Sequence, residues 1–144
     1  LELTESVLMA NAGLAAERLQ TFRRIGVSIA VDDFGTGYSS LAYLRRLPIT
    51  TLKIDKAFID ELGRPGDGED AAITTTVIAM AHSLGLAVVA EGVETPDQLA
   101  FLRQHRCDVV QGYWLAAPMR AEDCRRFVAE WPGRAAAGTD RAAP

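Results

Sequence analysis

The sequence predicts an α/β fold in which parallel strands alternate with outer helices, and two patterns support this class. Short runs rich in β-branched residues begin at residues 1, 27, 51, 86 and 108, so consecutive starts lie 22 to 35 residues apart. This spacing leaves room for one helix between neighbouring strands, as in βαβ units. Helical patterns with recognisable ends fill the intervals. The predicted strands cover residues 1–3, 27–31, 51–54, 86–90 and 108–110.

The helix predicted between the first two strands rests on an apolar stripe. Its inward face is expected to consist of Leu14, Leu19, Phe22 and Ile25. These positions recur at helical spacing, while most charged residues of the segment lie off the stripe. Gly26 follows as a stop signal, because glycine readily adopts the left-handed conformation that ends a helix.

The next helices are predicted from their ends. One begins at Ser39, and another runs from Asp70 to Leu84 before a glycine. A further helix has Thr95 as its N-cap and Pro96 as its first residue, and a glutamine two positions later can complete a capping box. Residues 63–68 contain three glycines and a proline, so they are predicted to be a flexible insertion.

The last predicted helix covers residues 121–131, buries Phe127 and Val128, and ends before the proline that follows. Beyond it, residues 132–144 contain no large apolar side chain that could be buried, so they are predicted to form a disordered tail. Residues 1–131 are therefore expected to form a single domain.

Composition excludes several classes of function. Fifteen basic and nineteen acidic side chains give a net charge of −4, which leaves no basic stripe for duplex nucleic acid. The longest mainly apolar stretch, residues 71–90, is interrupted by polar residues, so neither a membrane span nor membrane contact is predicted. Cys107 and Cys124 lack zinc-ligand spacing and are expected to be reduced thiols. A cytoplasmic location is expected.

Polar side chains occur within or directly after every predicted strand. They are Glu2, Asp32, Asp33, Lys53, Asp55, Glu91, Glu94 and Gln111. The strand rhythm alone fits an open doubly wound sheet as well as part of a (β/α)8 barrel. Barrel enzymes carry their catalytic residues at the C-terminal ends of the strands, so this distribution favours the barrel and an active site.

Lys53 is expected to be the only base among several acids. Alternation along its strand places it on the inner face, while its two neighbours face the helices. A lysine there needs anions around it, and Glu2, Asp32, Asp33 and Glu91 can supply them. Surplus carboxylates favour a divalent cation, and without His or Cys at ligand spacing the predicted metal is Mg²⁺ or Mn²⁺ rather than zinc.

Asp32 and Asp33 are adjacent, so in a regular strand they would point to opposite faces. Both can reach one site only if the chain turns there, which Gly35 and Gly37 permit. A Gly-x-Gly loop after a strand also suits a nicotinamide dinucleotide, with Asp55 as the ribose-binding acid. Paired aspartates would repel a bare pyrophosphate, so a phosphate that arrives with metal is favoured.

Five ordered motifs carry a resemblance to a known family: residues 1–6 (LELTES), 31–40 (VDDFGTGYSS), 52–56 (LKIDK), 89–94 (VAEGVE) and 111–113 (QGY). Together they resemble the EAL domain of bacterial cyclic di-GMP phosphodiesterases. The resemblance extends from residue 1 to about 131. It implies a (β/α)8 TIM-type barrel, truncated here to about the last five βα units.

The resemblance also implies two-metal hydrolysis of cyclic di-GMP to linear pGpG. In that scheme Glu2 and Asp32 hold the first metal, and Asp32 bridges the two ions. Asp33 and Glu91 serve the second metal and its water, and Lys53 orients the attacking water. Two further ligands, the glutamate of the signature and an asparagine, would precede residue 1, so the first-metal site is expected to be incomplete in this chain.

Other residues receive supporting roles from the same resemblance. Glu94 and Gln111 are expected to support the pocket. Glu5 is expected to anchor a loop that contacts substrate and lies at a homodimer interface in relatives; this loop consists of Phe34, Gly35, Thr36, Gly37, Tyr38, Ser39 and Ser40. The alternative is an inactive EAL-type module that binds cyclic di-GMP or a protein partner, although such a module has no need of every acid and the lysine.

Overall fold

The computed structural model describes residues 1–10, 12–35, 44–63 and 68–136, with the side chains of all these residues except 9–10, 12–14 and 132–136. Strands and helices alternate along the chain. In order they are β1 (Glu2–Thr4), α1 (Glu5–Ala10), α2 (Ala12–Arg24), β2 (Ala30–Phe34), β3 (Thr51–Ile54), α3 (Lys56–Ile59), α4 (Gly68–Ser83), β4 (Ala87–Ala90), α5 (Pro96–Gln104), β5 (Val109–Val110) and α6 (Ala121–Ala136).

The five described strands form one parallel sheet in which spatial order follows chain order, from β1 at one edge to β5 at the other. This confirms the predicted βα rhythm. Strand β3 has the predicted bounds, whereas β2 begins three residues later than predicted and continues to Phe34. Both aspartates of the DDFG segment therefore belong to the strand itself.

The main core lies between the sheet and the helices. Val31, Leu52, Ile54 and Val88 are at most 1% exposed and face this layer. The predicted orientation of β3 is thus confirmed, because Leu52 and Ile54 point to the helices. The opposite, inner face of the sheet is left to polar side chains, which positions them for a site.

The apolar stripe predicted for the first helix is only partly buried. Leu19 is buried on α2, but Phe22 and Ile25 are 43% and 72% exposed, so their predicted burial is wrong. The segment follows β1, which is an edge strand of the described sheet. Gly26, with a φ of 87°, follows the end of the helix as predicted.

The last helix also departs from its prediction. Val128 is 62% exposed and Phe127 is half-buried, so α6 does not bury the predicted face. Helix α6 continues through Pro132 to Ala136, although a proline inside a helix removes a hydrogen bond and crowds the carbonyl four residues earlier. Residues 132–136 are therefore helical rather than part of a tail, and 137–144 lie outside the described residues.

The start of α5 agrees with its prediction. The Thr95 hydroxyl accepts a hydrogen bond from the Gln98 backbone N–H, and the Gln98 Oε1 accepts one from the Thr95 backbone N–H, which completes the capping box. Helix α4 begins at Gly68, two residues earlier than predicted. Residues 64–67 of the predicted flexible insertion and the predicted helix start at Ser39 lie outside the described residues.

Two further sequence predictions concern the surroundings of the chain. Both cysteines are free thiols, as predicted, and burial raises the pKa of the Cys107 thiol. None of the helices within the described ranges combines the length and apolar character needed to cross a bilayer.

Asp108 joins the N-terminal side of the sheet to α4. Its Oδ2 accepts hydrogen bonds from the Val88 N–H at 2.8 Å and from the His82 ring at 2.9 Å. Partial burial opposes ionisation, but the bonds from His82 and Val88 prevail and lower the pKa of Asp108. Because the folded-state pKa lies below the unfolded one, this stabilisation is present above the unfolded pKa and is lost as the pH falls through the folded one.

The substitution Asp108→Asn is therefore expected to lower the free energy of unfolding by about 1 kcal/mol at neutral pH. The difference from the unmodified protein should shrink as the pH falls through the lowered pKa of Asp108, because that side chain then becomes neutral as well. Urea unfolding at several pH values measures this difference in unfolding free energy. Glu17→Gln, at an exposed position of α2, is the control for removal of an acidic charge. A difference that stays constant over the same fall in pH would contradict this account.

Candidate active site

Lys53 is the centre of the site on the inner face of the sheet. Its Nζ contacts Glu2 Oε2 at 2.9 Å, Asp32 Oδ1 at 3.0 Å and Glu91 Oε1 at 2.7 Å. Its side chain is 9% exposed, whereas the partner side chains range from 20% to 59%. The four residues belong to or directly follow β1, β2, β3 and β4, so the parallel sheet brings together positions up to 89 apart in the chain (91 − 2 = 89).

The charge state of Lys53 follows from these contacts. Burial is the largest single influence and favours the neutral amine, but hydrogen bonds to Glu91, Glu2 and Asp32 together outweigh it. They raise the pKa of Lys53 well above its usual range. Lys53 is therefore an ammonium at every physiological pH, and it can donate hydrogen bonds but cannot act as a base.

Asp33 reaches the site through an unusual backbone conformation. Its φ of 54° lies in the left-handed region, which aspartate tolerates better than most residues. The pairing of β2 with β3 shifts register between Val31 and Phe34, so the strand bulges at the two aspartates. The turn that lets both carboxylates face one site was predicted from Gly35 and Gly37, but it begins at Asp33.

Asp32, Asp33 and Glu91 form a group that we call the carboxylate trio. One oxygen from each lies within 4.8 Å of the others. Loss of water around the carboxyl, followed by the negative charges of Asp32 and Asp55, raises the pKa of Asp33. Carboxylates that repel one another at this separation either take up protons or bind a cation.

Glu2 joins the site from a position nearer the N-terminal ends of the strands. It is in register with Ala30 and, through it, with Thr51 at the start of β3. Its carboxylate contacts Lys53 and lies outside the carboxylate trio. Its predicted role as a first-metal ligand stays a prediction.

The contact expected of Glu5 is present at the beginning of its loop. Glu5 is 2% exposed, and its Oε2 accepts a hydrogen bond from the Gly35 N–H at 3.1 Å. A side chain at Gly35 would place its Cβ 2.9 Å from the Phe58 ring, and the φ of 102° also favours glycine. Residues 36–40 of the loop lie outside the described residues, so its role in substrate binding and dimerisation stays a prediction.

Gln111 lies beside the same inner face. Its carbonyl accepts a bond from the Val93 N–H at 3.0 Å, and its N–H donates to Ala90 at 2.9 Å. Gln111, together with Glu2 and Lys53, lines a cavity of about 340 Å³ that is open to solvent. The predicted site residues Glu2, Lys53 and Gln111 are thus brought together around one open cavity.

The sequence reasoning missed Lys56 as a site residue and, although it named Asp55, it missed that Asp55 caps a helix. Lys56 forms an ion pair with Glu94, which was predicted, together with Gln111, to support the pocket. Asp55 caps α3 by accepting the Ala57 N–H at 2.8 Å, and its charge contributes to the raised pKa of Asp33. An Asp directly after a strand is a common helix cap, which was the available signal; the partner of Lys56 lies 38 residues away and left no local signal.

The fold and the site together define a class of protein: a parallel α/β protein with carboxylates gathered around one lysine on the inner face of its strands. Among the described residues this group of three carboxylates includes no histidine or cysteine, and such an all-oxygen set suits a hard divalent cation. The adjacent Lys53 ammonium suits a phosphate substrate, because it supplies fixed positive charge beside the cation site.

The chain belongs to the EAL domain family, whose model matches residues 1–118. It is 51% identical over 128 residues to the cyclic di-GMP phosphodiesterase NbdA of Pseudomonas aeruginosa, which covers 89% of this chain and 16% of that protein. It is 48% identical over 129 residues to MucR of the same organism, a bifunctional diguanylate cyclase and cyclic di-GMP phosphodiesterase, covering 90% and 18% respectively. The chain thus spans less than a fifth of the length of these curated relatives.

The solved structure of the PaMucR phosphodiesterase in complex with c-di-GMP has a TM-score of 0.82 and 48% identity to this chain, covering 86% of it and 49% of that structure. A manganese and cyclic di-GMP complex of BlrP1 from Klebsiella pneumoniae has a TM-score of 0.73 and 32% identity, covering 81% and 29%. The sheet is therefore part of a TIM barrel, and the predicted choice of barrel over open sheet is confirmed.

Proposed function

We propose that this chain is part of a phosphodiesterase that hydrolyses one phosphodiester of cyclic di-GMP to give linear pGpG. The observation that carries the proposal is the arrangement of Lys53, held by three carboxylates, beside the left-handed Asp33. This geometry assembles an acidic cation site and a permanent ammonium on one face. Relatives whose names state this activity share about half of their aligned residues with the chain.

The carboxylate trio fits the proposed divalent cations, Mg²⁺ or Mn²⁺. Asp32, Asp33 and Glu91 offer oxygens close enough to share a cation. In the proposed two-metal site Asp32, Asp33, Glu91 and Glu2 would hold the cations. When bound, the cations lower the pKa of water and screen the charge that develops on phosphate.

The residues of this chain then act on substrate and water. Lys53, an ammonium paired with three carboxylates, donates hydrogen bonds and orients the attacking water. The Glu91 carboxylate, 2.7 Å from Lys53, is placed to receive the proton that water loses. Water adds to phosphorus, the bond to one ribose oxygen breaks, and that oxygen takes up a proton.

A nicotinamide-dependent function is not supported by the site. The carboxyl proposed as the ribose-binding acid, Asp55, is used to cap α3. The Asp32–Asp33 pair lies where a bare pyrophosphate would be repelled. The inactive binding module remains as an outcome of the test below rather than as a second proposal.

The finer assignments belong to the same proposal. Cyclic di-GMP is the proposed partner molecule, and a second copy of the chain is proposed to bind through residues 34–40, where Glu5 fixes the first turn. A cytoplasmic location fits two free thiols, because disulfides are rare in that compartment.

The test is hydrolysis of cyclic di-GMP by the full-length protein, with pGpG measured by chromatography. Turnover is expected with Mg²⁺ or Mn²⁺, and excess EDTA should abolish it, since the carboxylates alone cannot screen the phosphate charge. Cyclic di-AMP serves as the control substrate. Binding without turnover at any metal concentration would favour the inactive module, and undiminished turnover in EDTA would contradict the metal mechanism.

A further inference from the structure

Lys56 lies just outside the Lys53 cluster, at the first residue of α3. Its Nζ forms an ion pair with Glu94 and a longer one, at 3.6 Å, with Asp60 one turn along the chain. Hydrogen bonding to Glu94 is the main cause that raises the pKa of Lys56. The same lysine thus has one partner on its own segment and one on the loop that follows β4.

The backbone that carries Lys56 is fixed from several directions. Asp55 caps the helix through the Ala57 N–H. The buried Gln98 side chain donates to the Ile59 carbonyl at 3.0 Å, and Thr74 Oγ1 donates to the Phe58 carbonyl at 3.4 Å. Although α3 has only four residues, it cannot shift without breaking contacts to α4 and α5.

The stem of Lys56 is seated on Gly92. A Cβ at position 92 would lie 2.7 Å from Lys56 Cδ and 2.8 Å from Lys56 Cβ, so the lysine occupies the space that any side chain would need. Gly92 also has a φ of 72°, which glycine adopts without strain. The loop between Glu91 and Glu94 is therefore shaped to receive this lysine.

The side-chain amide of Gln98 binds the backbone at both ends of the Lys56–Glu94 ion pair. The Gln98 Oε1 accepts the Glu94 N–H at 2.7 Å, while its Nε2 binds Ile59. Gln98 is 3% exposed, so these bonds are shielded from water. One buried side chain therefore sets the distance between the two backbones that Lys56 and Glu94 bridge.

We propose that Lys56 is a positioning residue that fixes the direction and the charge of the Glu94 carboxylate in the cyclic di-GMP pocket. The inference rests on the proposed function and on the expected role of Glu94 as a residue that supports the cyclic di-GMP pocket. Glu94 follows the carboxylate trio member Glu91 by three residues, in a region rich in negative charge. Lys56 supplies the counter-charge that Lys53, already shared among three acids, does not provide.

The test compares Lys56→Met, Lys56→Arg, Glu94→Gln and the double variant Lys56→Met/Glu94→Gln in the full-length protein. Methionine keeps the stem over Gly92 and removes only the charge. For Lys56→Met we expect KM to rise roughly three- to tenfold with kcat changed less than twofold, since a half-exposed pair of this kind has a modest coupling. The dissociation constant of cyclic di-GMP from the metal-free protein, measured by calorimetry in EDTA, should rise by the same factor.

Three comparisons separate positioning from a structural role. Arginine should restore most of the affinity, and the double variant should bind no worse than Glu94→Gln alone, because the lysine acts through the glutamate. Asp60→Asn removes the other partner of Lys56 and should leave KM unchanged. Melting temperatures of all variants should agree within a few degrees.

The outcomes distinguish the inference from the proposed function. Hydrolysis by the unmodified protein together with an unchanged KM in Lys56→Met, or additive effects in the double variant, would overturn the inference alone. If the unmodified protein neither binds nor hydrolyses cyclic di-GMP, the proposed function fails and the inference fails with it. Binding without hydrolysis leaves the calorimetric comparison to decide the role of Lys56.

Discussion

Asp33→Asn is expected to lower the hydrolysis of cyclic di-GMP by roughly 100-fold or more while it raises the melting temperature of the metal-free protein. Asparagine tolerates the left-handed φ of 54°, so the variant removes charge and keeps the backbone. Activity falls because the carboxylate trio loses the charge that holds a cation next to the phosphate. The raised pKa of Asp33 means that its ionised form costs stability above that pKa, and a neutral side chain relieves the cost.

Both effects are measured on the same preparation, by pGpG formation with Mn²⁺ and by thermal melting in EDTA. Asp60→Asn is the matched control, since that carboxylate pairs with Lys56 away from the trio. Some cyclic di-GMP binding should persist in Asp33→Asn. An unchanged rate would remove Asp33 from the metal site, and a lower melting temperature would contradict the view that the ionised Asp33 carboxylate costs stability in the metal-free protein.

Lys53→Met is expected to produce the largest loss of stability, about 3 kcal/mol in the metal-free protein. The substitution leaves the carboxylates of Glu2, Asp32 and Glu91 facing one another without their common cation. Because the pKa of Lys53 is raised, the stability that its charge contributes is fully present at every pH below the pKa of this lysine in the unfolded chain. It is lost only as the pH rises from there through the folded-state pKa. The loss should therefore be the same at pH 6 and pH 8.

Lys53→Met should lower the rate of hydrolysis without weakening metal binding. We expect kcat to fall by roughly 100-fold or more, since the ammonium that orients water is gone. Mn²⁺ affinity, measured by calorimetry, should stay equal or increase because a competing cation has left. Lys56→Met is the matched control for stability, with an expected cost below about 1 kcal/mol for a half-exposed lysine. Loss of Mn²⁺ affinity in Lys53→Met would show that the lysine organises the acids rather than competing with metal.

Period-two alternation was sufficient to place Lys53 on the inner face, because the side-chain direction in a strand is fixed by the backbone. The capping box at Thr95 was readable for a similar reason, since it depends on residues three positions apart. The convergence of Glu2, Asp32 and Glu91 on Lys53 followed from the parallel order of the strands. Local rules thus gave the fold class and the centre of the site.

Features that depend on distant partners or on a single backbone angle could not be predicted from the sequence. The left-handed Asp33 follows from the pairing of β2 with both neighbours, not from its own sequence. Val128 and Ile25 lie on regular apolar stripes, but burial requires a neighbouring surface as well as a stripe. Lys56 and Glu94 meet only through the geometry of α3 and the loop after β4.

The sheet order also determines how the site can be assembled during synthesis. Each described strand pairs with the one before it, so a chain emerging from the ribosome can add strands one at a time without waiting for a distant segment. Glu2 and Asp32 are in place before Lys53 is made, and Glu91 arrives last with β4. The costly cation is therefore never buried without an anion at any step of this order. The carboxylate trio becomes complete only with the fourth strand, so capacity for metal should appear abruptly as nascent chains lengthen past residue 91.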